Sequence, residues 1–212
     1  MNPHGHHKAT VRRLALVSGL LALVSSCSAD LRTGALAGAV RIPPLVVASV
    51  SLPDVGNNAA PVTMHAPAGE LYLVYFGYTS CPDVCPTTLS DISVALDGLT
   101  DALAKRVTVA MVTVDPERDT PGILTSYLDH FFDHSIALRS TDPAQLTSAA
   151  DVFGVKFELA THSPGEAYNV AHTAVTYVVD DTGTVVVEWP FGLDTDDMTS
   201  DLSTLLKSKE ST

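Results

Sequence analysis

The stretch YFGYTSCPDVCPTTLSDI, Tyr75 to Ile92, decides how the rest of the chain is read. It overlaps an uninterrupted apolar run, LYLVYF (Leu71–Phe76), and leads into a segment with apolar residues at helical spacing: Leu89, Ile92, Ala95, Leu96 and Leu99. The run marks a strand buried on both faces, and the spacing predicts a helix from Asp83 to about Leu103. Between them stand Cys81 and Cys85, each followed by proline. A strand–loop–helix unit places such a loop at the carboxyl end of the strand, where α/β proteins gather their sites. The helix N-terminus adds unpaired N–H groups and a positive partial charge, and both favour a thiolate. Pro82 and Pro86 suit the start of a helix, where a missing N–H costs little.

Outward from this unit, strands and helices alternate. VTVAMVTV (Val107–Val114) is a second buried strand, and LVVASVSL and VTMHA are short strands upstream. TPGILTSYLDHFF opens on Thr120 and Pro121, a helix-start pair. IALRS is a short strand, and DPAQLTSAADVFG is a helix stopped by Gly154. AVTYVVD and TVVVEWP flank DTG as a hairpin. DTDDMTSDLSTLLKS closes the chain as a helix with acids in its first turn, where the dipole favours them. The order is βαβα, a short strand, α, then ββα. It predicts an α/β fold, a thioredoxin-like three-layer sandwich whose central mixed sheet is flanked by helices.

The first forty or so residues read differently. Arg12 and Arg13 precede LALVSGLLALV (Leu14–Val24), an apolar stretch too short to span a membrane, which takes about 20 residues. A basic flank, a short apolar core and small residues make a secretory signal. The small residues end at Cys27 in LVSSC, which resembles the bacterial lipoprotein box with Cys27 as the lipidated residue. We therefore expect a signal over 1–26, a small-residue tether over 27–44, and the folded domain over 45–212. The implied location is outside the cytoplasm, with the chain held by lipid to the outer face of the cell membrane. Loss of residues 1–26 removes Lys8, Arg12 and Arg13 and no acid, so the net charge moves from −12 to −15. An acidic chain without a basic cluster lacks the footprint of a nucleic-acid binder. His4, His6 and His7 leave with the signal.

With Cys27 assigned to lipid, Cys81 and Cys85 form one pair in an exported protein. Four residues apart, they can close a disulfide or converge on one ion. A thioredoxin-type redox pair has two intervening residues, and here there are three: Pro82, Asp83 and Val84. A structural staple, a redox couple and a metal clamp all remain open on spacing alone. A clamp needs a further ligand. His172, in YNVAHTAVTYVVD just before the hairpin, is the histidine whose layout faces the cysteine loop. His130 and His134 have ligand spacing near a helix end, where histidines are favoured anyway. His65 and His162 fall in loops. Asp83 reads as an ordinary first-turn acid. Asp115, Arg118 and Asp119 sit on the same sheet edge as the cysteines, either as a well-capped turn or as an ion pair ordering the site loop. Met64, Met111, Met198, Trp189 and Pro190 read as packing residues.

FGYTSCPDVCPTTLSDI, VTVDPERDTP and YNVAHTAVTYVVD, in this order, together resemble the Sco/SenC family of copper chaperones over roughly Leu45 to Lys207. The resemblance implies a thioredoxin-like fold and one copper ion, Cu(I) or Cu(II), bound by Cys81, Cys85 and His172. It implies a copper-accepting apoprotein as partner, a cytochrome c oxidase subunit. The family commonly carries Asp before this histidine, where this chain has Ala171. Thiolates select Cu(I) and imidazole suits either oxidation state. Three ligands leave an open site, whereas structural zinc closes four. The rival readings use the same cysteines as a thiol–disulfide oxidoreductase that reduces the acceptor's cysteines, or as a thiol peroxidase suggested by the TSC context.

Overall fold

The computed structural model describes residues 36–209 except 162, 164, 165 and 167. Cys27, His4, His6, His7 and His162 lie outside the described residues, as does the signal segment. The elements run β1 (Leu45–Val46), β2 (Ser51–Asp54), β3 (Ala60–Thr63), β4 (Leu71–Gly77), α1 (Val84–Asp97), α2 (Asp101–Ala104), β5 (Val107–Thr113) and α3 (Pro121–Leu128). They continue with β6 (Ser135–Leu138), α4 (Pro143–Phe153), β7 (Phe157–Leu159), β8 (Val170–His172), β9 (Val175–Val179), β10 (Thr184–Pro190) and α5 (Thr195–Ser208).

Eight strands form one mixed sheet in the order β1-β10-β9-β4-β5-β6-β2-β3. β4, β5 and β6 are parallel, and β9 runs antiparallel to β4. The apolar runs sit where the sequence puts them. Leu71, Leu73, Val74, Tyr75 and Phe76 are fully buried, as are Ala110, Met111 and Val112. Alternate side chains of β4 serve opposite faces. The Tyr75 hydroxyl stands beside Cys85 and Thr88 of α1, while the Phe76 ring packs at 5.2 Å on Phe153 of α4. Helix α5 joins α1 on the first face, where Thr199 Oγ1 donates to the Ala95 carbonyl at 2.9 Å. This is the three-layer, thioredoxin-like sandwich. None of the described helices is long and apolar enough to cross a membrane.

The structure departs from the sequence reading in five places, four of them within the domain. The first helix ends at Asp97 rather than near Leu103, because Gly98 caps it and the chain restarts from an extended Thr100. LVVASVSL divides into β1 and β2 around a turn, with Val47 N–H bonded to Gly183 instead of continuing the strand. Helix α3 stops at Leu128, so His130 and His134 do not share a helical face. His130 instead bonds the Ser126 carbonyl at 2.5 Å. The two short strands β7 and β8 were not expected. They pair only with each other, outside the main sheet.

Residues 37–39, inside the stretch read as tether, are pinned to the domain. Ala37 and Gly38 N–H groups donate to the two Asp201 carboxylate oxygens at 2.7 and 3.0 Å. Ala39 exchanges two backbone bonds with Glu188 of β10. Gly38 is required there: a Cβ would stand 2.5 Å from Val187 and 2.6 Å from the Trp189 ring. Asp201, 2% exposed, also accepts from Trp189 Nε1 at 2.9 Å.

Candidate metal centre

Strand β4 delivers the chain to the site. Gly77, its last residue, leaves room for sulfur, since a Cβ there would stand 2.6 Å from the Tyr75 ring and 3.1 Å from Cys85 Sγ. The loop then turns so that Cys81 precedes α1 and Cys85 lies in its first turn. Asp83 is the N-cap residue, but its side chain makes no capping bond and is exposed. The Cys81 sulfur acts as the cap in its place, accepting the Cys85 N–H at 3.3 Å.

The two thiols consequently differ. Burial raises the Cys81 thiol, but the N–H groups of Asp83 and Cys85 outweigh it and hold Cys81 below the ordinary thiol range. Burial pushes Cys85 up to about 12, so at neutral pH the metal-free residue is a thiol. Cys85 is fully buried and Cys81 only partly, and neither is in a disulfide.

His172 arrives from β8. Its Nε2 lies 3.4 Å from Cys85 Sγ, and its Nδ1 lies 3.2 Å from the Thr173 carbonyl. A proton on Nδ1 is donated to that carbonyl, which leaves the Nε2 lone pair facing the sulfurs. Burial lowers the His172 pKa, so the ring is neutral near pH 7. The rings of Tyr75 and Tyr78 meet it edge-on at 6.0 and 5.8 Å. The two sulfurs and a ring nitrogen all lie within 4.8 Å of one another, and among the described residues no other cluster of three or more His, Cys, Asp or Glu has this form.

Cys81 and His172 open on a cleft of about 520 Å³, lined also by Tyr78, Pro82, Val84 and Ala171, with Cys85 buried behind them. The donor set fits a soft ion: two potential thiolates and one imidazole, with a free side toward the cleft. His65 bonds Thr63 Oγ1 at 2.8 Å, away from the site. Met64, Met111, Met198 and Trp189 are buried in the core.

The acidic loop after β5 sends its two buried acids in different directions. Asp119 is fully buried and accepts from Thr79 N–H at 3.1 Å, Thr79 Oγ1 at 2.5 Å and Thr113 Oγ1 at 2.5 Å. Burial raises its carboxyl, against the pull of those bonds. Thr79 lies two residues before Cys81, so Asp119 ties down the cysteine loop. The Asp115–Arg118 pair runs elsewhere, to Tyr168. Sequence reasoning missed Tyr168, because that contact spans fifty residues and leaves no local pattern.

The SCO1/SenC family profile matches residues 54–207. A putative copper-binding protein of Stutzerimonas stutzeri is 30% identical over 83% of this chain and 85% of its own length. A SCO2-like protein of Rickettsia prowazekii is 35% identical over 54% of this chain, and the match spans 56% of that relative. Among solved structures, that of Bradyrhizobium japonicum ScoI with copper bound superposes with a TM-score of 0.62 at 32% identity, covering 80% of this chain and 98% of the other.

Proposed function

The chain belongs to the SCO1/SenC family, and from that premise we propose that it is an exported copper chaperone. Cys81, Cys85 and His172 hold one copper ion, which passes to the apoprotein of a cytochrome c oxidase copper centre. The observation that carries this reading is the convergence of two sulfurs and an imidazole nitrogen within 4.8 Å beside an open cleft. A likeness to a copper-bound ScoI structure supports the choice of metal. Three ligands hold copper firmly, yet leave a face from which an acceptor's thiolates can enter and displace them one at a time. Cys81, partly exposed and the more readily ionised of the two thiols, is the ligand an acceptor meets first. Removal of two electrons and two protons from the pair by an oxidant would join the sulfurs and withdraw both from the metal. The deciding experiment is copper titration of the reduced chain, wild type against His172→Ala.

Metal loading is expected to depend on pH in one direction. Cys85 starts as a thiol with its pKa near 12, and it must lose its proton to bind. Copper affinity should then rise by at least about tenfold per pH unit between about pH 7 and pH 9. His172 adds nothing to this slope, being neutral already. A flat profile, measured by competition with a chelator of known pH behaviour, would mean that Cys85 is not a thiolate ligand.

The asymmetry of the thiols also favours a second reading. A low-pKa Cys81 could attack a partner disulfide, and Cys85 could then resolve the mixed disulfide, leaving Cys81–Cys85 oxidised and the partner's two thiols reduced. This thiol–disulfide exchange does not use His172. Multiple turnover of a partner disulfide by metal-free protein, sustained by an added dithiol, would select it.

We further propose that residues 1–26 are a signal, that Cys27 carries the lipid anchor, and that the chain works outside the cytoplasm. Cys27→Ser should move the protein from the membrane fraction to the soluble one. Unchanged fractionation would remove the anchor from the proposal.

A further inference from the structure

His172 stands on the least supported element of the fold. Strand β8 has three residues and pairs only with β7, which also has three: Phe157 opposite His172, Glu158 opposite Ala171, Leu159 opposite Val170. A two-stranded ribbon is marginal by itself. The cysteines, by contrast, are set by the central strand and a long helix. A site built on parts of such unequal stiffness needs a device that fixes the ribbon against the core.

Arg118 occupies the place where such a device must be. Its Nε pairs with the buried Asp115. Its Nη1 donates to the Tyr168 carbonyl at 2.9 Å, and its guanidinium carbon sits 3.7 Å over the Tyr168 ring. The Tyr168 hydroxyl returns to the other Asp115 oxygen at 2.5 Å. Tyr168 is gripped by carbonyl, ring face and hydroxyl at once, four residues before His172. The same guanidinium lies 5.6 Å from the centre of the Tyr78 ring, whose edge-on partner is His172 and which stands three residues before Cys81.

We infer that Asp115 and Arg118 form a clamp that holds the His172 arm against the cysteine loop, making Arg118 a positioning residue for the third ligand. This rests on the three-ligand reading of the site. Neither residue touches the ligand atoms. The clamp acts by fixing Tyr168 and Tyr78, and through them the imidazole. Its geometry calls for arginine, since a planar fork can bond a carboxylate, bond a carbonyl and stack on a ring together, and a lysine ammonium cannot.

The test uses the reduced full chain, copper alone as the probe, and four variants: Arg118→Ala, Arg118→Lys, His172→Ala and the double variant Arg118→Lys/His172→Ala. Arg118→Ala and Arg118→Lys should each lower copper affinity by about 10- to 100-fold. In the Cu(II) form, the nitrogen hyperfine splitting of the imidazole should weaken while the thiolate-to-copper charge-transfer absorption persists. On the His172→Ala background, Arg118→Lys should cost nothing more, because the clamp has no ligand left to position. Arg118→Lys keeps the charge and most of the stem, so it reports even where the alanine variant fails to fold. Wild-type affinity in Arg118→Lys overturns the proposal. So does an equal loss with and without His172, which would make Arg118 a general structural residue. Unchanged affinity in His172→Ala alone would instead defeat the three-ligand site, and the clamp with it.

Discussion

Replacing His172 with alanine should lower the copper affinity of the reduced chain by more than about a hundredfold, beyond the range that outer contacts of a metal site command. The reason lies in what remains. Two thiolates can still hold Cu(I), because soft sulfur alone satisfies that ion, but Cu(II) loses its only imidazole. Retention of Cu(II) should therefore fail almost completely, while weak Cu(I) binding persists. The Cys81–Cys85 pair should still oxidise and reduce reversibly, since both sulfurs are positioned by β4 and α1 and not by the ribbon. The measurement is a competition titration in each oxidation state, paired with thiol counting after oxidation. Full retention of both affinities would show that the imidazole, 3.4 Å from Cys85, is a packing neighbour only.

The second large effect is on stability. Asp201→Ala should destabilise the domain by about 3 kcal/mol, because the buried Trp189 indole N–H and two backbone N–H donors lose a charged acceptor together. In a domain of this size that is a fall in Tm on the order of 10 °C. Asp201→Asn should fall between alanine and wild type: it keeps one acceptor oxygen, but turns an NH₂ group toward the donors. The donors belong to Ala37, Gly38 and Trp189, so backbone amide exchange at Ala37 and Gly38 should rise well before global unfolding. Thermal and denaturant unfolding decide the case. A loss below about 1 kcal/mol would mean that water replaces the carboxylate without cost.

Much of this fold is legible in the sequence because its central parts obey local rules. β4 and β5 are continuous apolar runs, β9 and β10 are a hairpin around Asp181–Gly183, and α3 starts at the expected Thr120, whose side chain accepts from the Ile123 N–H. The parts that escape are held from far away. β7 and β8 have half-exposed faces and three residues each, too few for any periodicity to register. Residues 37–39 look like tether because they are small, and the backbone of Ala37 and Gly38 is held by an acid more than 160 positions downstream. The site divides in the same way. The cysteines declare themselves by spacing and by the strand before them. His172 is one histidine among several until the layout brings it forward. Arg118 is visible as half of an ion pair, but its third partner, Tyr168, is a contact that only the folded chain discloses.

The pinned residues 37–39 also set a direction. Ala39 faces Glu188, which is level with Tyr177 and through it with Val74. From there the chain runs away from the site to Leu45, opposite Val185. Residues 37 and 38 therefore sit toward the end of the sheet that carries the cysteines, about three strand spacings, or roughly 15 Å, to one side. The chain thus enters the domain on the flank of the metal-binding face, and not from the opposite end of the sheet.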